Sequence, residues 1–394
     1  MSAVTLGLTV SSMLPAMPAS AQGMKQTAKP TAIVSLGDSF IAGNAGRWRG
    51  NADPTNLFGD IWGTDRAAYD CNSNGSLCRH DPQRVYGPGY DNGNGCYRAD
   101  SAEILNTDIA VDRKINIACS GAETVNVAPT RNGGQSWKGQ PPQGDQLADI
   151  ARDNTIKMVV LNIGGNDMGF RDIITNCVET YLKGSSTHCK VTQEPVLAAG
   201  LAKTLPRVRR VVRNLRAVMT RAGYADGSYR FVLQSYPSPV PPGAQNRYPE
   251  TYARFTQGGC PVYNDDSDWV NDSVVPRISG MVQRVANRLG VDFLDTHDLF
   301  AGHEVCAKAS RQASRANSYK DPLPGKDAEW ARFLVVFGSQ GTRDESVHPN
   351  YYGQIALGAC LAAVYGFTGA QKTHVCRNTP GHGPKDVQLT STSN

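Results

Sequence analysis

No stretch of this chain approaches about 18 uninterrupted apolar residues, so nothing in it reads as a membrane-spanning helix. It holds no CxxC pair and no Cys/His cluster at zinc spacing, which argues against a metal site. Long basic tracts are missing as well. The 40 Lys and Arg against 35 Asp and Glu leave a net charge of +5, too mild and too scattered for nucleic acid. No internal repeat is present, which excludes a solenoid. No Lys or Arg stands ahead of the apolar run at the N-terminus.

What is present fits a globular protein with ample material for a core: 394 residues, 40% hydrophobic and 19% charged. Residues 1–21 read as a secretory signal, an apolar run followed by Ala19-Ser20-Ala21 with cleavage after Ala21. The missing positive charge leaves a disordered tail as the alternative. Export agrees with the ten cysteines, an even count that argues for disulfides. Pairing neighbours gives bridges 71–78, 96–119, 177–189, 260–306 and 360–376, although sequence does not fix connectivity.

Short Val/Ile/Leu-rich runs predict strands at 31–37, 114–119, 157–163, 229–235 and 291–294, apolar on both faces as buried parallel strands are. Between them lie helical patterns. Leu205, Val208, Val212, Leu215 and Met219 make one apolar stripe over 204–221. Pro206 belongs in a first turn, so 194–203 is expected to be a separate or kinked helix. Further helices are expected at 274–289, ending at Gly290, and at 351–364. This alternation predicts an α/β three-layer sandwich around a parallel sheet. Two long segments break the rhythm, 44–100 with Trp48, Trp62 and Tyr90, and 236–272, rich in Pro and Tyr. The first leaves directly from a turn at Ser39 and is expected to wall or cover the site there. Residues 30–377 are expected to form one domain, and 378–394 a disordered tail.

Four short motifs carry the chemistry: Gly37-Asp38-Ser39-Phe40, Ala118-Cys119-Ser120-Gly121-Ala122, Gly164-Gly165-Asn166-Asp167 and His348-Pro349-Asn350. Each alone is ordinary turn chemistry. In this order, together, they resemble the four blocks of the SGNH (GDSL-type) hydrolases, in particular the secreted actinobacterial esterases and lipases. The resemblance implies a flavodoxin-like sheet of five parallel strands with long loop insertions. It implies that Ser39 is the nucleophile, His348 its base, and that the backbone N–H groups of Ser39 and Gly121 and the side-chain amide of Asn166 form an oxyanion hole. The middle three cysteine pairings match bridges usual in those relatives. Many relatives carry Asp three residues before the histidine. Here Glu345 stands there, with Asp344 before it. The partner of His348 is thus Glu345, Asp344 or a main-chain carbonyl near Glu345. Asp38 and Asp167 are expected to brace turns.

The expected activity is hydrolysis of a small-molecule or lipid ester by a monomer, with no cofactor, no stable membrane insertion and a loss of rate as pH falls through about 6.5. The same blocks serve carbohydrate deacetylases and phospholipases. A different class, a silent ligand-binding module, would use Trp48, Trp62 and Tyr90 as its surface. The apolar patch Trp330, Phe333, Leu334, Val335, Val336 and Phe337 fits an acyl groove and a core element equally well.

Overall fold

The structure is a computed structural model and describes residues 1–3, 5, 7, 28–54, 61–72, 77–88, 90, 95–335 and 340–392. The expected cleavage site after Ala21 lies outside them, as do Val336 and Phe337. Strands β1 (Thr31–Gly37), β2 (Arg113–Asn116), β3 (Thr155–Asn162), β4 (Arg230–Gln234) and β5 (Asp292–Asp295) fall where the apolar runs predicted. Two more follow, β6 (Thr373–Asn378) and β7 (Val387–Thr392), so the sheet has seven strands rather than five. Its order is β2-β1-β3-β4-β5-β6-β7, with β1 to β6 parallel and β7 antiparallel to β6.

The first five strands thus have the flavodoxin-like order, in which the chain reverses direction between β1 and β3 and leaves a crevice beyond the strand ends. Side chains alternate across the sheet. Ala32, Val34 and Leu36 enter one core, and Ile33 the other. One layer holds α2 (Gln143–Asp153), α4 (Cys189–Arg221) and α5 (Val275–Leu289). The other holds α6 (Tyr351–Gly366) and the segment around Trp330.

The C-terminal hairpin corrects the expectation of a disordered tail. In β7, Val387 and Leu389 pack on the core while the intervening residues face solvent. Such a half-polar edge strand lacks the apolar run that marks a central one. The Cys360–Cys376 disulfide ties β6 to α6. All five neighbour pairings are formed.

Residues 194–203 do not form a separate helix: α4 is continuous for 33 residues through Pro195 and Pro206. An interior proline costs about 3 kcal/mol. Burial of Val208, Val212, Leu215, Val218 and Met219 outweighs this, since each contributes roughly 1.5–3 kcal/mol. Insertion 44–100 also differs from expectation. Among its described residues only Asn44 lines the cleft at the strand ends. Trp48 is buried beneath the Arg332 guanidinium, 3.8 Å from its ring, and Tyr90 stacks on Tyr86. The described residues of the insertion support the His348 loop from the side, Tyr86 bonding Glu345, and none but Asn44 reaches the cleft.

Candidate active site

Strand β1 stops at Gly37, whose φ of +134° and close approach to β3 require glycine: a Cβ there would sit 1.8 Å from the Asn162 carbonyl oxygen. Gln143 clasps the same residue, donating from Nε2 to its carbonyl at 2.8 Å and accepting from its N–H at 2.7 Å. The chain then turns into the single-turn helix α1 (Ser39–Ala42), capped by the Asp38 side chain, which accepts from the Phe40 N–H. Ser39 is held at the head of that turn.

Its Oγ lies 2.6 Å from Nε2 of His348. The histidine stands on a loop that pairs backbone to backbone with 332–335. Val347 N–H donates to the Arg332 carbonyl and Arg332 N–H to the His348 carbonyl, both at 2.9 Å, and the Ser346 hydroxyl accepts from Val335 N–H. Just beyond, Asn350 caps α6 by accepting from the N–H groups of Tyr352 and Gly353. Phe40 packs against the imidazole with ring centroids 4.7 Å apart. Burial pushes the His348 pKa down from 6.5 to about 4, against the opposing pull of its bond to Ser346. The neutral ring is the form that accepts a proton.

The partner of the other ring nitrogen is a carbonyl. Nδ1 lies 2.8 Å from the oxygen of Ser346. That oxygen can only accept, so Nδ1 carries the proton and Nε2 is free to accept from Ser39. The Glu345 carboxylate, one of the three candidates, is turned elsewhere. It is fully buried, receiving Tyr86 O–H at 2.6 Å and Thr342 N–H at 2.7 Å. The second bond closes a capping box on the turn Arg343–Glu345, which folds the side chain back on its own turn. Burial raises the Glu345 pKa, and Arg47 opposes that rise. The Asp344 carboxylate faces Arg171 at 3.6 Å.

Beyond β2 and β3 the other two motifs close the site. Gly121 has φ +79° and lies beneath the Trp137 ring. Asn166 donates from Nδ2 to the Ala122 carbonyl at 2.9 Å, which ties the two turns together. Asp167 accepts from Thr124 N–H at 2.9 Å and its hydroxyl at 2.6 Å, and so braces a turn as expected. Asp38 does the same through Phe40 N–H and Tyr236 O–H; burial pushes its pKa up to about 7. Ser39, Gly121, Asn166 and His348 all line one cleft of about 570 Å³.

Sequence reasoning missed Tyr236 and Gln143, and it left the carbonyl near Glu345, here that of Ser346, as one of three candidates. It also missed the cleft-facing side of α3 (Phe170–Leu182), whose four-residue spacing was a usable signal. Of the apolar patch, Trp330 and Phe333 belong to the core, while Leu334 and Val335 line the cleft. His297, set between Asp295 at 3.0 Å and Asp298 at 3.1 Å, is a paired structural histidine, its pKa raised to about 10 by those bonds.

Such a fold, with a cleft of this composition at the strand ends, is that of an ester hydrolase. The model of the GDSL-like Lipase/Acylhydrolase family matches residues 84–354, and the chain belongs to that family. The match begins after Ser39, which the insertion separates from the other motifs. No curated protein sequence matched. The chain is similar to the extracellular lipase of Streptomyces rimosus at 19% identity, over 86% of this chain and 100% of that one, with a TM-score of 0.46. It is similar to phospholipase A1 of Streptomyces albidoflavus NA297 at 19% identity, over 86% and 99%, with a TM-score of 0.44. Est24, a carbohydrate acetylesterase of Sinorhizobium meliloti, shows 13% identity over 85% and 96%, with a TM-score of 0.30.

Proposed function

We propose that the protein is a secreted, monomeric serine esterase of lipase type, working through a Ser39–His348 dyad and an acyl-enzyme. The observation that carries this is the 2.6 Å approach of Ser39 Oγ to His348 Nε2 at the head of the cleft. Ser39 Oγ attacks the ester carbonyl while Nε2 takes its proton. The Ser346 carbonyl holds the resulting imidazolium by its Nδ1–H. Negative charge gathers on the carbonyl oxygen. Donors from Ser39 N–H, Gly121 N–H and Asn166 Nδ2 lower that barrier by about 2.7–4 kcal/mol for each one well placed. His348 returns the proton to the leaving alkoxide oxygen. Water, deprotonated by the same nitrogen, then clears the acyl group from Ser39.

An apolar cleft favours a fatty ester over a sugar acetate. Phe40, Phe170, Ile174, Val178, Leu334 and Val335 line it. None of Trp48, Trp62 and Tyr90 lines the cleft, where a sugar ring would have to stack: Trp48 is in the core, Trp62 packs half-buried against it, and Tyr90 stacks on Tyr86. Five disulfides support an oxidising, extracellular setting. The test is hydrolysis of p-nitrophenyl esters together with labelling by a serine-directed phosphonate. Ser39→Ala is expected to lose at least about a thousandfold in rate and all labelling. Labelling that survives the substitution would assign the nucleophile elsewhere.

A further inference from the structure

Helix α3 carries one apolar stripe at ordinary helical spacing, but the fold buries only half of its width. Ile173, Cys177 and Tyr181 are buried against the core. Phe170, Ile174, Val178 and Leu182 recur at four-residue steps on the neighbouring face and line the catalytic cleft. The first three are half-buried and Leu182 is 42% exposed. Folding gains little from an apolar row left facing an open cleft, and such a row marks a place where an apolar ligand lies. Arg171, Thr175 and Glu179, each one residue further on, give the cleft a polar edge. The row begins four residues after Asn166 and, at 1.5 Å per residue, runs about 18 Å away from the oxyanion donors. That is the reach of a long fatty chain, not of an acetyl group.

The dyad sets which half of the ester occupies this row. His348 must hand its proton to the leaving oxygen, so the alcohol departs on the histidine side. Arg343 and Asp344 line the cleft there. We infer that the acyl chain, and not the alcohol, lies along α3, and that the substrates are long-chain fatty acid esters of small or polar alcohols. This rests on the ester-hydrolase reading of the site. Ile174, Val178 and Leu182 then set chain-length preference. Each methylene placed on the row raises kcat/KM by about fourfold until the chain passes Leu182.

Two esters of similar size separate the possibilities: methyl hexadecanoate and hexadecyl acetate, presented to the full chain in mixed micelles. Methyl hexadecanoate is expected to be cleaved faster by at least about tenfold. Val178→Trp, which fills the middle of the row, is expected to lower kcat/KM for p-nitrophenyl hexadecanoate at least about tenfold more than for p-nitrophenyl butanoate. Leu182→Asp, at an exposed position that tolerates change, shifts the same ratio in the same direction. Titration of Ser39 with a small phosphonate counts folded sites in every variant. Equal cleavage of the two esters, preference for hexadecyl acetate, or variants that lower both p-nitrophenyl esters alike would overturn the inference while leaving the hydrolase intact. No cleavage of any ester and no phosphonate labelling would overturn the hydrolase reading, and the inference with it.

Discussion

Tyr86, from the long insertion, donates its phenolic hydrogen to the Glu345 carboxylate at 2.6 Å, three residues before His348. The bond fixes the turn from which the histidine loop leaves. Between Glu345 and His348 the chain takes a strained step, Val347 at φ +57°, a conformation that β-branched residues avoid. Strain of this kind persists only where the surroundings hold it. Here the backbone pairing with Arg332 and the buried Glu345 do so.

Glu345→Gln therefore reads a positioning role. The amide keeps the shape but loses one acceptor facing Tyr86 and Thr342. The expected cost is about 1–3 kcal/mol of stability, seen in thermal or urea unfolding. Because the Ser346 carbonyl orients the imidazole, kcat is expected to fall by less than about tenfold. A carboxylate bonded to the ring would behave differently, since loss of such a group costs about ten-thousandfold. A loss of that size, with stability intact, would mean that Glu345 turns onto His348 in the working enzyme.

The acid limb of the pH profile follows from the same loop. The free enzyme needs neutral His348, and burial holds its pKa near 4 rather than 6.5. Initial kcat/KM is expected to persist at pH 5 and to decline only toward about 4, below the unperturbed histidine value. Stability moves the other way in this window. Between 6.5 and about 4 the unfolded chain binds a proton at His348 that the folded one does not, so folding weakens as pH falls. Rates measured within seconds of dilution into acid, beside unfolding curves at the same pH, separate the two effects. A limb near 6.5 in an enzyme that stays folded would contradict a desolvated imidazole.

That Ser39, Gly121, Asn166 and His348 meet in one cleft was legible because each belongs to a short motif at a strand or helix end, where local turn chemistry decides geometry. The five central strands were legible for a similar reason, being apolar on both faces. The orienting group of His348 was legible only as a choice among Glu345, Asp344 and a nearby main-chain carbonyl, because a carbonyl leaves no mark in a sequence that would single it out. Helix α4 passes through Pro206 because tertiary burial outweighs a local penalty, and single-chain propensity cannot weigh that. The outward row on α3 has helical spacing that any reader could count. Whether such a row meets a core or a cleft depends on what the rest of the chain packs around it.

Tyr236 offers the last test, since it joins two halves of the site that follow the neighbouring strands β1 and β3. Its hydroxyl donates to Asp38 Oδ2 at 2.5 Å and accepts from Gly165 N–H at 3.1 Å. Asp38 caps the turn bearing Ser39, and Gly165 precedes Asn166. One side chain thus sets the spacing between Ser39 and Asn166, the proposed nucleophile and oxyanion donor. Tyr236→Phe keeps the edge contact with Phe40, whose ring centroid lies 5.0 Å away, and removes only the bridge. Direct removal of an oxyanion donor costs about a hundred- to a thousandfold in kcat. A positioning residue acts at one remove, so a smaller loss, of about tenfold, is expected, with KM nearly unchanged because the missing interaction matters most when the carbonyl oxygen is charged. The rate of phosphonylation of Ser39 should fall in parallel, as that reaction draws on the same donors. A variant that unfolds more readily but turns over at the wild-type rate would reduce Tyr236 to a packing residue.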